Sequence, residues 1–322
     1  MQPSSAAKQS TFAEDVHKGL SSDPKSLSSK YFYDDEGSRL FQQIMDLPEY
    51  YLTRAEFEIF STQAPQIFAA FTEQNSSFDL IELGAGDGTK TAVLVDYFLK
   101  KQADFVYSPV DISGEAIDVL TGKFAAQFPD LQISAKTGDY FRILDRLKTE
   151  SQRQKILLFL GSNIGNFSRR EALDFFTQLR AAMNENDLLF VGFDLQKDPR
   201  VILKAYDDAQ NVTAAFNLNL LKRINRELGA DFNVENFSHY AIYQPNEGAA
   251  RSFLISRENQ TVQIGALNQS FAFKQWEAIF MEISQKYDLP MIADLAASSG
   301  FQVAQNFFDG NRYFVDSLWK TR

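Results

Sequence analysis

Between residues 78 and 195 the chain alternates short apolar runs with longer stretches of helical spacing. The runs are FDLIEL (78–83), FVYSPV (105–110), LQISAK (131–136), KILLFL (155–160) and LLFVGF (188–193). Segments 89–101, 114–127, 141–149 and 169–184 separate them. Strands alternating with crossover helices predict a parallel sheet covered by helices on both faces. LIEL and ILLFL are apolar at nearly every position, as strands buried on both faces must be.

Outside this region the pattern changes. Residues 1–27 are rich in Ser, Ala and Lys and read as loosely ordered at their start. In 30–60, Leu40, Phe41, Ile44 and Met45 recur at helical spacing, Pro48 marks a stop, and Thr53 is the expected N-cap of a second helix. Tyr31, Phe32, Tyr33, Tyr50 and Tyr51 flank the first of these helices. Residues 199–230 read as two helices. Residues 237–285 read as short strands (HYAIYQ, RSFLISR, TVQIGAL, SFAFKQ, MEIS) that build a separate lobe. The end, IADLAASSGFQVAQNFFDGNRYFVDSLWKTR, reads helix, strand, D-G turn, strand, which suits an antiparallel hairpin at the sheet edge. The division expected is a sheet domain of 61–196 and 286–322, and a lobe of 1–60 and 197–285. There is no internal repeat and no low-complexity block.

Composition narrows the function classes. With 322 residues, 44% hydrophobic and 30 Phe, the chain can bury one large core or two modest ones. A net charge of -10 and a pI of 4.9 disfavour nucleic acid or an anionic membrane as the main partner, and otherwise mean solubility. The absence of cysteine excludes disulfides, thiolate nucleophiles and cysteine-ligated zinc. His17 and His239 alone make a multi-histidine metal site unexpected, so no metal is assigned. The start, MQPSSAAKQS, has no apolar targeting core, and no run reaches the roughly 18 residues of a membrane span. A cytoplasmic enzyme or binding protein is expected.

The chemistry gathers at LIELGAGDGTKT, residues 80–91. Thr89 separates Gly88 from Lys90, so the P-loop pattern fails, and Gly84, Gly86 and Gly88 do not fit the dinucleotide spacing. The arrangement Glu82-x-Gly84-x-Gly86-x-Gly88 resembles the first motif of Rossmann-like S-adenosylmethionine-dependent methyltransferases. That cofactor carries no phosphate. Glycines let the backbone approach its amino-acid end, and an acidic residue near the loop suits its ammonium. Asp111 ends the second run, where an acid grips ribose hydroxyls. Asp139 follows the third run, where this class contacts the adenine amine. Lys90 and Tyr140 complete the cofactor set. The plainer reading of the glycines is a tight turn, and of each aspartate a helix N-cap. The fold class expected is α/β, a Rossmann-like methyltransferase sheet with a second, inserted α+β substrate-binding lobe.

Five longer segments narrow the substrate: KYFYDDEGSRLF (30–41), LPEYYLTRAE (47–56), FLGSNIGNF (159–167), AYDDAQNVTAAFNLNLLKRINRELGADF (205–232) and MEISQKY (281–287). They resemble the histidine-specific methyltransferases of ergothioneine biosynthesis, which convert L-histidine to its Nα-trimethyl betaine. The likeness runs from Lys30 to near the end. It implies that Asn166 and Tyr206 hold the substrate's amino-acid end, that Tyr33 lies close to the reacting amine, and that Tyr50 lines the pocket. It also implies that Glu282 and Ser284 read the imidazole. Two departures stand out. Ser252 falls where an apolar residue packing the ring is expected, with Phe253 beside it, and the loop with Asp87 and Gly88 is closer to the general methyltransferase pattern than to the family's own.

The residues themselves agree with the ring-reading role. On a strand Glu282 and Ser284 share one face, and a carboxylate beside a hydroxyl can accept from one ring nitrogen and donate to the other. Plainer readings exist: a solvent-facing polar pair at 282 and 284, a helix cap at Asn166, a core tyrosine at 206, a solvated pair at Asp207 and Asp208. Rival functions are a methyltransferase for another amino acid such as tryptophan, a non-catalytic S-adenosylmethionine-binding module, and an aminopropyltransferase, for which no acidic trench is evident. A monomer acting on a small molecule is expected.

Overall fold

The computed structural model describes residues 5–322 and divides into two units. The first comprises the described residues up to Tyr51 and Lys197–Ser284; the second comprises Leu52–Gln196 and Gln285–Arg322.

The second unit is built on an eight-stranded sheet. Its strands lie in the order Phe301–Phe308, Phe314–Thr321, Leu188–Asp194, Gln154–Phe159, Ser77–Leu83, Asp104–Asp111, Gln132–Ile133, with Lys136–Thr137 also on Asp104–Asp111. The central strands run parallel and the last two form an antiparallel hairpin on Leu188–Asp194, as the sequence predicts. Apolar residues on alternate sides feed two cores. Leu80, Ile156, Leu158 and Phe190 pack with Phe60, Phe71 and Phe98; Ile81, Leu83, Leu157 and Val191 pack with Phe176, Ile292 and Trp319. LQISAK does not form one strand. It pairs only at Gln132–Ile133 and Lys136–Thr137, because it alternates polar and apolar at the sheet edge and the chain bulges between.

The first unit carries a four-stranded sheet, Lys25–Ser26, Ala278–Gln285, Ala249–Ser256, Phe237–Gln244, and a separate hairpin, Gln260–Ile264 with Gln269–Phe273. The helices Asp35–Asp46 and Val212–Leu228 share a core with it that includes Leu40, Ile44, Phe216, Leu220, Leu254 and Met281.

Three expectations are corrected. The N-terminal segment forms the helix Ser5–Ser21, where Phe12, Val16 and Leu20 recur every four residues and are buried; residues 1–4 lie outside the described residues. The second helix starts at Tyr51, not after Thr53, and runs to Phe71. Its continuity also moves residues 52–60 out of the lobe and into the second unit, since Ala55, Ile59 and Phe60 pack in the sheet's core.

Phe190, on the strand Leu188–Asp194, is fully buried with its ring against Phe60, Phe71 and Phe307. Phe190→Ala should lower unfolding free energy by about 3–5 kcal/mol, because nothing nearby can refill the space. Urea denaturation of the variant against the native chain measures this.

Candidate active site

Strand order reverses at Ser77–Leu83. The chain adds Asp104–Asp111 on one side, then crosses to Gln154–Phe159 on the other. Such a reversal opens a crevice at the carboxyl ends of the strands. Into it run the glycine loop, the turn after Asp111 and the segment after Phe159.

Gly84, Gly86 and Gly88 have φ of +72°, +56° and +67°. At Gly88 a side chain is also excluded by packing, since a Cβ would stand 2.5 Å from Leu120 and Phe124. At Gly86 nothing lies within 4 Å of a Cβ, so the backbone there borders open space. Tyr140 Oη would stand 3.0 Å from a Cβ on Gly84, which puts its hydroxyl over the loop. Burial, then the charge of Asp111, push the Tyr140 pKa to about 12, so the phenol stays protonated. Asp111 accepts from Ser113 N at 2.9 Å, and burial raises its pKa. The cap of the helix Gly114–Gln127 is Ser113, not Asp111. An open backbone cradle, a half-buried acid at the next strand end and a phenol between them fit a cofactor with an amino-acid end and a ribose diol.

Three assigned residues have other work in the structure. Asp139 Oδ1 accepts from Arg142 N at 3.1 Å and caps the helix Tyr140–Glu150. Glu82 does not present its carboxylate to the loop. It is buried, with one oxygen taking the Thr91 hydroxyl at 2.7 Å and the other the Tyr107 hydroxyl at 2.5 Å. It therefore fastens the strand end to the following helix and to the neighbouring strand. Lys90 is paired with Glu56, a fully buried residue of the helix Tyr51–Phe71. Burial alone would depress the Lys90 pKa; the Glu56 charge overrides it and holds the ammonium above its ordinary value.

Glu56 reaches a second element. Its Oε1 accepts from Gly161 N at 2.8 Å, in the loop that leads to the short turn Asn163–Asn166. Asn166 is exposed and is not the cap of the next helix, which belongs to Ser168 in a reciprocal capping box with Glu171. A polar amide at a strand's carboxyl end without a capping duty suits ligand contact. Asp316, also fully buried, lies against Glu56 and Lys90. Burial, then the Glu56 charge, raise its carboxyl pKa well above the usual range.

The first unit gathers the remaining candidates. Tyr206, in the turn after Pro199–Lys204, is buried, and its hydroxyl donates to Ser284 Oγ at 2.7 Å. His239 Nε2 lies 2.9 Å from the Tyr206 carbonyl oxygen; a carbonyl only accepts, so this nitrogen carries the hydrogen. Tyr33 leaves 47% of its surface exposed, yet burial of its hydroxyl, and then the negative charge of Glu282 and the neighbouring Tyr50 and Tyr206, push its pKa well above the usual phenol value. Rings of Phe41 and Phe216 fix Tyr33 edge-on at 5.5 and 5.6 Å, and Phe41 also meets Tyr50 at 6.2 Å. Thus Tyr33, Tyr50, Tyr206, Glu282 and Ser284 converge from four chain segments. Sequence resemblance sets Tyr206 and Ser284 at opposite ends of a substrate; here one donates to the other.

Other plain readings also change. Asp208 is buried, not solvated, and accepts from Val212 N and Thr213 N at 2.9 and 2.8 Å to start the helix Val212–Leu228. Ser252 is buried opposite Ala241, while Phe253, opposite Tyr240, meets Phe280 at 5.8 Å. The two therefore face opposite sides of the strand. Thr91, Tyr107, Glu56 and Asp316 were not legible as site residues. The only signal was a glutamate at an apolar position of the helix, and Glu56 reads equally well as an exposed polar residue.

The family described as histidine-specific, SAM-dependent methyltransferase matches residues 12–321. The histidine N-alpha-methyltransferase of Mycolicibacterium smegmatis is 36% identical over 288 residues, covering 89% of this chain and 88% of that protein. The protein of the same name from Mycobacterium tuberculosis is 36% identical over 285 residues, with 88% and 87% covered. Ergothioneine biosynthesis protein 1 of Schizosaccharomyces pombe is 29% identical over 266 residues, 81% of this chain and 34% of that larger protein.

Burial raises the Glu82 pKa to about 7, above its unfolded value of 4.5. A raised acid contributes stability below the unfolded value and loses it as pH rises through the folded one. Glu82→Gln should therefore gain on the native chain between pH 4.5 and 8, by roughly 3 kcal/mol in unfolding free energy. Urea midpoints of both chains across that range measure the difference.

Proposed function

The chain belongs to the histidine-specific, S-adenosylmethionine-dependent methyltransferase family, and we propose that it methylates the α-amino group of L-histidine, up to the Nα-trimethyl product that serves ergothioneine biosynthesis. S-adenosylmethionine is its methyl donor. The observation that carries the substrate reading is the cluster in the first unit. A buried hydroxyl, Ser284, accepts a hydrogen bond from Tyr206, while the carboxylate of Glu282 stands near Tyr33. An acceptor and a polarised hydroxyl two residues apart match the N–H and the lone pair of a neutral imidazole. A substrate lacking them leaves buried polar groups unpaired, which is the basis of strong rejection.

In this reading Glu282 accepts from one ring nitrogen and Ser284 donates to the other. Asn166 and Tyr206 take the amino-acid end, and the Tyr206 hydroxyl also bonds to Ser284. Tyr50 lines the pocket. Bound at the glycine loop, S-adenosylmethionine supplies a methyl on a sulfonium, which passes to a nitrogen lone pair while the C–S electrons stay on sulfur. An α-amine with a pKa of about 8 is largely protonated at neutral pH, and a nearby cation lowers that value. The protein's task is then to hold the neutral amine in line. Tyr33 stays a protonated phenol, so it is no base; its oxygen accepts an N–H and aims the lone pair. The aromatic faces of Tyr33, Phe41 and Tyr50 suit a product whose nitrogen becomes a fixed cation. Among the described residues no helix is long and apolar enough to cross a membrane, the net charge of -10 disfavours nucleic acid or an anionic membrane as a partner, and the proposed working form is a cytoplasmic monomer.

Incubation with S-adenosylmethionine and the twenty amino acids, read by mass spectrometry, should yield histidine carrying one to three added methyls and no other product. Transfer to tryptophan instead, or to none, would favour the two rivals in turn. Glu282→Ala should cut kcat/KM for histidine by about 100-fold, the loss of a hydrogen bond to a charged group in a buried site. A tryptophan-directed enzyme would be indifferent to it. Tyr33→Phe should lower kcat while leaving donor affinity unchanged; an unaltered kcat rejects the orienting role.

A further inference from the structure

Glu56 joins two cofactor-side loops of the second unit. One carboxylate oxygen pairs with Lys90, the residue between the glycine loop and the helix Thr91–Lys100; the other accepts from Gly161 N at 2.8 Å. The sheet makes room for this carboxylate. Gly192 lies beneath it, and a Cβ there would stand 2.5 Å from Oε1. The Lys90 ammonium also borders Gly161, at 3.3 Å from a Cβ placed on it. Asp316 lies against this pair, its carboxyl pKa raised well above the ordinary range by burial and then by the Glu56 charge.

The ribose side of the crevice has different anchors. Asp111 ends the strand Asp104–Asp111, and Tyr140 starts the helix Tyr140–Glu150.

We propose that Glu56 is a positioning residue for the amino-acid end of the methyl donor. It draws the Lys90 ammonium and the Gly161 backbone to a fixed spacing, and that spacing shapes the part of the crevice where the donor's ammonium and carboxylate lie. Glu56 does not touch the donor. It acts through Lys90 and the two loops.

Two ligands separate this from a general structural role. S-adenosylhomocysteine has the amino-acid end; 5′-methylthioadenosine keeps the nucleoside and sulfur but lacks it. Calorimetric titration of the native chain and of Glu56→Gln with each gives four affinities. Glu56→Gln should bind S-adenosylhomocysteine about tenfold more weakly or worse, as loss of a charge-assisted contact implies, with 5′-methylthioadenosine changed less than about twofold. Glu56→Asp keeps the charge but cannot span both partners. It should show the same selective loss, and it serves if the glutamine variant is unstable. Equal weakening of both ligands, or of neither, overturns the proposal. A native chain that binds neither ligand would instead refute S-adenosylmethionine as the donor.

Discussion

A strand buried on both faces can offer a ligand only its end. Ser77–Leu83 lies between two parallel neighbours, with apolar layers above and below. From Phe78 to Leu83 every residue is buried. Chemistry in the second unit is therefore confined to the turns at the carboxyl edge, and the demands on those turns are severe. The chain must leave the sheet within a few residues, avoid filling the crevice, and start a helix. Three glycines with positive φ meet the first two demands. Glu82 meets the third, because the Thr91 hydroxyl at the new helix's first turn bonds directly to it.

That arrangement puts charge where burial is costly, and the structure answers with proximity. Glu56 faces Lys90, and beside them burial and the Glu56 charge raise the Asp316 carboxyl pKa well above its ordinary range. Lys286 and Asp194, both fully buried, sit 2.7 Å apart by the same logic. Buried pairs of this kind add little net stability over an apolar filling, but removing one partner is expensive. Their value lies in specifying geometry. An apolar residue at 56 would pack, yet it could not hold an ammonium and a backbone N–H at once.

The alternating sheet, its antiparallel edge hairpin and the inserted lobe were all legible in the sequence, because each leaves a periodic trace over many residues. Periodicity failed where one residue decides. LQISAK scored as a strand and pairs at its ends alone. Ser5–Ser21 is spaced for a helix but starts with residues that read as a tail, so its apolar stripe of Phe12, Val16 and Leu20 was masked by composition. The site was legible as a set of residue types at strand ends, and through family resemblance in the lobe. Partnership was not legible. Nothing local to Glu82 announces Tyr107, 25 residues on, and nothing near Tyr206 announces Ser284, 78 residues on. Asp139 and Asp208 show the converse: an acid at a helix start satisfies a backbone rule whether or not it also meets a ligand.

The first unit solves its problem differently. Its candidate residues come from two loops, a turn and one strand, and they act by side-chain groups rather than by exposed backbone. Recognition of an amino acid's side chain depends on which donor and acceptor are offered, and these can be exchanged one residue at a time without disturbing the lobe's apolar core of Phe216, Leu220, Leu254 and Met281. Recognition at the glycine loop depends on φ values and packing that tolerate almost no exchange. A chain organised this way should vary in what it methylates long before it varies in what supplies the methyl group. Glu282, half-buried and raising the Tyr33 pKa by its charge, is where such a change would begin.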